Sequence, residues 1–185
     1  MCAERGFVAT FCCVVLIGLS CAGTVVRSSS PSALRLAELT QDIEALGPAV
    51  HTDEAQLAAT EALRATSELA RAYRMTRPAQ LHNVLVHIGL RQRGLCCHWA
   101  EDLVARMNDL DLSSLEVHWV VASRGSLLRE HSSVLLVPTG HSFEQGLVLD
   151  GWRDSGNLVW ARPVEDRYAW SLHPLDGQWD RLRCL

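Results

Sequence analysis

A chain of 185 residues supports one compact domain plus appendages, not two full domains. Its formal net charge of -4 argues against a dedicated nucleic-acid binder, which needs a basic surface to offset phosphate charge. The hydrophobic content of 48% is enough for a core, although part of it lies in the N-terminal segment.

Arg5 is followed by an apolar run over residues 7–19, and small residues come next: Ser20-Cys21-Ala22-Gly23. A short apolar stretch behind a weakly positive start reads as an export signal. It is shorter than the roughly 20 apolar residues of a comfortable membrane span. Lipid attachment at Cys21, cleavage after Ala22 and retention as an uncleaved anchor all stay open, and each places the domain in the cell envelope or periplasm. The reading divides the chain into a signal at 1–22, a Ser- and Pro-containing tether at 23–32, a helical region at 33–80 and a core domain at 81–185.

Residues 34–46 have apolar side chains at Leu36, Leu39, Ile43 and Leu46, a helical spacing that Gly47-Pro48 stops. Residues 53–75 form a longer amphipathic stretch with Leu57, Leu63, Leu69, Ala70 and Tyr73 in phase, and Thr52 is placed to cap it. Pro78 begins a new element, and residues 81–90 are a third helix candidate. Residues 96–107 read as a fourth helix, with Trp99, Leu103, Val104 and Met107 on one side. The period then shortens towards two. Strands are expected over residues 115–122, 132–137 and 146–150, with a short fourth over 157–161. Helices followed by consecutive strands on short turns predict an α+β domain with an antiparallel sheet.

Cys2, Cys12 and Cys13 leave with the signal, and Cys21 is lipidated or lost. Cys96, Cys97 and Cys184 remain, an odd number for an oxidising compartment. Cys96 opens a helix after Gly94, His131 opens a strand, and Asp150 ends the next strand. A helix N-terminus stabilises a thiolate and can hold an oxyanion. A nearby imidazole can take the thiol proton and return it, and a carboxylate can orient the ring through its second nitrogen.

Gly94-Leu95-Cys96-Cys97-His98-Trp99-Ala100 resembles the nucleophile motif of the transglutaminase-like superfamily. Glu130-His131-Ser132 and Leu149-Asp150-Gly151-Trp152-Arg153 resemble the texts around its histidine and aspartate, as found in uncharacterised bacterial exported proteins. The resemblance covers about half the chain and implies a catalytic triad of Cys96, His131 and Asp150. It implies an exported cysteine-dependent acyl-transfer enzyme, either an amidase or peptidase or a transglutaminase, acting on a peptide or protein that is peptidoglycan-linked if location is the guide. Two other readings compete: an inactive envelope module that binds peptide or glycan, and a structural lipoprotein.

Cys97 competes with Cys96 as the nucleophile, but the glycine spacing favours Cys96. Adjacent helical residues point about 100° apart, so only one can face the site. Cys97 then packs in the core or pairs with Cys184. A zinc reading of Cys96, Cys97, His98 and His131 is disfavoured, because structural zinc sites separate their cysteines by about two to four residues. His82, His87, His118, His141 and His173 read as surface or packing residues, and Trp152 is a candidate groove residue. No cofactor is expected: no glycine-rich phosphate loop, flavin or haem signature is present.

Overall fold

The computed structural model describes residues 31–126 and 129–177. The expected export signal, Cys21, Cys184 and most of the expected tether lie outside the described residues. No helix among those described is long and apolar enough to cross a membrane.

The domain is α+β: four helices, then a five-stranded antiparallel sheet. Helix α1, Pro31–Glu44, buries Leu39, Ile43 and, just past its end, Leu46, as its periodicity predicts. Helix α2, Thr52–Ala72, differs from expectation in two respects. Its cap position is His51, without a side-chain capping bond, so Thr52 is the first helical residue rather than the cap. Its buried seam is Ala55, Ala58, Ala59, Ala62, Ala65 and Leu69, while Leu57 is 46% exposed. Small side chains let α1 and the later helix α4 approach α2 closely, so alanine wins the inward face over leucine.

Helix α3, Ala79–His87, follows Pro78 and starts earlier than its apolar pattern indicates. Helix α4, Cys96–Asn108, buries Trp99, Leu103, Val104 and Met107 on one side, as expected. It packs on strands β1, Leu115–Ala122, and β2, His131–Pro138. Strands β3, Leu147–Asp150, β4, Val159–Ala161, and β5, Trp170–Leu172, complete the sheet in the order β4-β3-β2-β1-β5. The sequence pattern does not announce β5.

Strand β2 is central and buried along its whole length. Its side chains alternate between two cores. Val134 and Leu136 join the core beneath α1, α2 and α4, whereas Leu135 and Val137 join a smaller one with Val120, Ala122, Val148 and Trp170. His131 has the parity of Leu135, and Asp150 that of Val148. The pleat therefore places both on the smaller-core face, at the sheet end reached by the first turn of α4.

Candidate active site

The register builds the site. Ala122 of β1 pairs with His131 on one side and with Trp170 on the other. The small alanine leaves room for the two flanking rings to meet above it, with centroids 5.2 Å apart. Trp152 and Tyr168 add rings at 4.8 and 4.6 Å from the imidazole. His131 is thus boxed by three aromatic rings and is 2% exposed.

His131 Nε2 lies 2.6 Å from Asp150 Oδ2 and is the donor of that bond, since the carboxylate can only accept. Asp150 is 1% exposed and fully engaged. Its Oδ1 accepts the backbone N–H groups of Trp152 and Arg153, each at 3.0 Å, and its Oδ2 also accepts Arg153 Nε at 3.0 Å. The Arg153 guanidinium makes two further bonds to Asp166, at 3.0 and 2.6 Å, and Asp166 also accepts Trp170 Nε1 at 3.0 Å. The charges alternate in sign along the line His131, Asp150, Arg153, Asp166.

Burial alone raises a carboxyl pKa, but the His131 bond and the Arg153 contacts hold Asp150 below the usual range. Burial likewise opposes a charged imidazole. The hydrogen bond to Asp150 and the interaction with Cys96 outweigh it and push His131 up to about 9. His131 Nδ1 is buried and completes no hydrogen bond among the described residues. With Nε2 occupied by Asp150, Nδ1 is the ring nitrogen left to interact with Cys96. The Cys96 thiol donates to the carbonyl oxygen of Glu130, the residue before His131, at 3.8 Å.

Cys96 is a free, partly exposed thiol at the first position of α4, where helix amides lack intrahelical partners. The turn before it is fixed by two other histidines. His98 Nδ1 accepts the N–H groups of Gly94 and Leu95, both at 3.2 Å, so it carries no proton. Burial, with help from the nearby Arg93 charge, lowers its pKa to about 4. His82, fully buried, accepts from Thr76 N–H at 3.1 Å and donates from Nε2 to Arg93 O at 2.9 Å. Gly94 has φ +119° and would place a Cβ 2.3 Å from His82, so glycine is required on both counts.

The three residues named from the sequence therefore converge at one sheet end. Cys97 is disulfide-bonded and packs against the main core; the expected partner, Cys184, lies outside the described residues. Trp152 is 7% exposed and packs on His131 while donating to Asn83 Oδ1 at 3.0 Å, so it supports the ring rather than lining an open groove. His82 is a packing residue as expected, and His118 is held by Asp176 at 2.7 Å. Among the described residues no group of three or more His, Cys, Asp or Glu side chains is arranged to hold a metal. Arg153, Asp166, Tyr168 and Trp170 are site residues that the sequence pattern alone does not reveal. Arg153 sits in the Asp150-Gly151-Trp152-Arg153 text, whereas Asp166 has no local signal. No family model, curated protein or solved structure matches the chain.

Proposed function

We propose that this chain is an exported cysteine-dependent acyl-transfer enzyme of the transglutaminase-like kind, with Cys96 as nucleophile, His131 as acid–base and Asp150 as the group that orients His131. The observation that carries the proposal is the buried His131–Asp150 pair, whose free Nδ1 falls to a helix-terminal thiol that has no disulfide. In the proposed reaction the proton given up by Cys96 already rests on His131 Nδ1 when the sulfur bonds the carbonyl carbon of an amide or ester. First-turn amides of α4 stabilise the oxyanion. Collapse breaks the carbon–nitrogen or carbon–oxygen bond as Nδ1 returns its proton to the leaving group. Water or an amine then releases the acyl group and regenerates the thiol. Asp150 stays ionised throughout and keeps Nδ1 directed at the sulfur.

The Cys97 disulfide supports the oxidising location, since such bonds persist mainly outside the cytoplasm. It also leaves Cys96 as the thiol available for chemistry among the described residues. The test is iodoacetamide labelling of Cys96 across pH, resolved by peptide mass spectrometry, for the native protein and for His131→Ala. Labelling at neutral pH that exceeds a model thiol and is lost in the variant supports the enzyme. Labelling at the model-thiol rate in both proteins favours a binding module that keeps the geometry without the chemistry.

A further inference from the structure

Helix α3 is amphipathic in the reverse sense for a soluble domain. Facing the protein are Ala79, 1% exposed, His82, fully buried, and Asn83, which accepts the Trp152 indole N–H. Facing solvent are Leu81, Val84 and Ile88 at 46, 53 and 61% exposure, followed by Leu90 at 63%. These four make an apolar patch on a helix whose inward side is partly polar. Such a patch marks an interaction surface rather than a scattered exposed leucine.

Its charge surroundings say what kind of surface. Residues 71–93 contain five arginines and no aspartate or glutamate, in a chain whose net charge is -4. Arg93 is neutralised by Glu101 and Asp102, and Arg77 is loosely paired with Asp154 at 3.4 Å. Among the described residues Arg71, Arg74 and Arg91 have no carboxylate partner. Arg91 bonds only the carbonyl oxygens of Arg74 and Leu90. Arg74, Arg91 and Leu90 line a cavity of about 590 Å³ at the end of α2. A second cavity joins Ser32, where the chain enters α1, to Arg71 and Arg77. The start of α1 therefore lies on the side that carries Arg71 and Arg77.

We propose that the outward face of α3, with Leu81, Val84, Ile88 and Leu90 as the inserting side chains and Arg74, Arg77 and Arg91 as the rim, docks on the surface of an anionic phospholipid bilayer. The side chains enter the headgroup boundary, and Arg74 and Arg91 pair with lipid phosphates at the mouth of the cavity. Apolar residues framed by arginine, with the neighbouring Asp102 and Asp154 already paired to Arg93 and Arg77, fit a phosphate-rich interface. The same helix supports Trp152 from beneath, so docking sets the sheet end that carries His131 close to the membrane. The docking does not depend on any chemistry at Cys96.

The test uses the full chain carrying a photoreactive benzoylphenylalanine at Val84, at Ile88 or at Leu57. Leu57 is exposed but sits near the far end of α2, roughly 24 Å along the helix from Tyr73 at 1.5 Å per residue. Vesicles are equal parts phosphatidylglycerol and phosphatidylcholine, or phosphatidylcholine alone. Expected are lipid adducts at Val84 and Ile88 about fivefold above Leu57 on the anionic vesicles, falling about threefold or more in Arg74→Gln/Arg91→Gln. Circular dichroism confirms that each variant is folded. Equal adducts at all three positions, cross-links to a second chain instead of lipid, or labelling indifferent to lipid charge would each overturn the proposal.

Discussion

His131 ties stability to pH in a window that only the Cys96 thiol and the His118 imidazole otherwise enter among the described residues. Its pKa stands at about 9 in the fold against an ordinary value of 6.5. A raised histidine contributes fully below the unfolded value, where both states are protonated, and its contribution is lost as pH rises through the folded value. The loss therefore runs from about pH 6.5 to about pH 9. A shift of this size corresponds to on the order of 3 kcal/mol, a large part of the 5–15 kcal/mol typical of a domain. The side chain is only 3% exposed, so solvent screening does not reduce it much. All seventeen Lys and Arg residues are arginine, so no lysine titrates at the upper edge. His118 is also raised by its carboxylate partner Asp176 and adds a slope of the same sign, whereas His98 and His173 are lowered and act only below the window. The Cys96 thiol would titrate inside this window, at about 8.5 in the unfolded chain, so both proteins compared carry Cys96→Ser, and on that background Asp150→Asn isolates the His131 share. The amide can still accept from the Trp152 and Arg153 N–H groups, but it presents an NH₂ where His131 and Arg153 donate. Urea unfolding followed by tryptophan fluorescence at about pH 6, 7.5 and 9.5 should show the Cys96→Ser protein losing about 3 kcal/mol across the range. The variant should be weaker at pH 6 by about 3–5 kcal/mol, the usual cost of breaking a buried pair, and nearly flat thereafter. A Cys96→Ser profile as flat as the double variant's would refute the reading of His131 as a charged ring held by Asp150.

Arg153→Met removes the cation between two buried carboxylates. It should cost about 3–5 kcal/mol in urea unfolding, and Asp166→Leu on that background should recover part of the loss. Gly94→Ala forces a Cβ onto His82 at a left-handed φ and should destabilise by about 2 kcal/mol or more; a variant as stable as the native protein in thermal unfolding would contradict that packing. Ala122→Leu fills the space where the Trp170 and His131 rings meet, and it should cost about 1–3 kcal/mol and slow iodoacetamide labelling of Cys96. His98→Phe leaves the Gly94 and Leu95 amides without their acceptor, at about 1–3 kcal/mol for each that water does not reach, read in the same unfolding assay.

Much of the architecture was legible because it rests on periodicity. Strand β1 matches its expected limits, and α4, β2 and β3 match within one residue, since their apolar spacing is consistent from end to end. The placement of Cys96, His131 and Asp150 at element ends followed from the same boundaries. What escaped was set by tertiary contact. The inward seam of α2 is alanine because neighbouring helices come close, and apolar ranking alone points to Leu57 instead. Strand β5 is three residues long, too short to show alternation, yet it supplies Trp170 to the site. Polar residues turned inward on α3 answer to Thr76, Arg93 and Trp152, none of which is a helical neighbour.

The alternating line of charge also bears on whether the thiol is a reactant or a bystander. Asp166, Arg153, Asp150 and His131 are each held by a neighbour of opposite sign, and the first of them is closed off by the Trp170 indole. The other end is open at Nδ1, a buried N–H once the ring is charged. An unsatisfied buried donor costs about 1–3 kcal/mol, more when it belongs to an ion. The fold nevertheless holds a carboxylate in place to keep that ring charged, and three aromatic rings pack around it and fix its aim. The group within its reach is the sulfur of Cys96, at the helix end where negative charge is favoured. A packing cysteine needs none of this, as Cys97 illustrates one residue away with its sulfur taken up in a disulfide. This difference between two adjacent cysteines is what the proposed reaction requires, and the labelling of Cys96 against His131→Ala is its test.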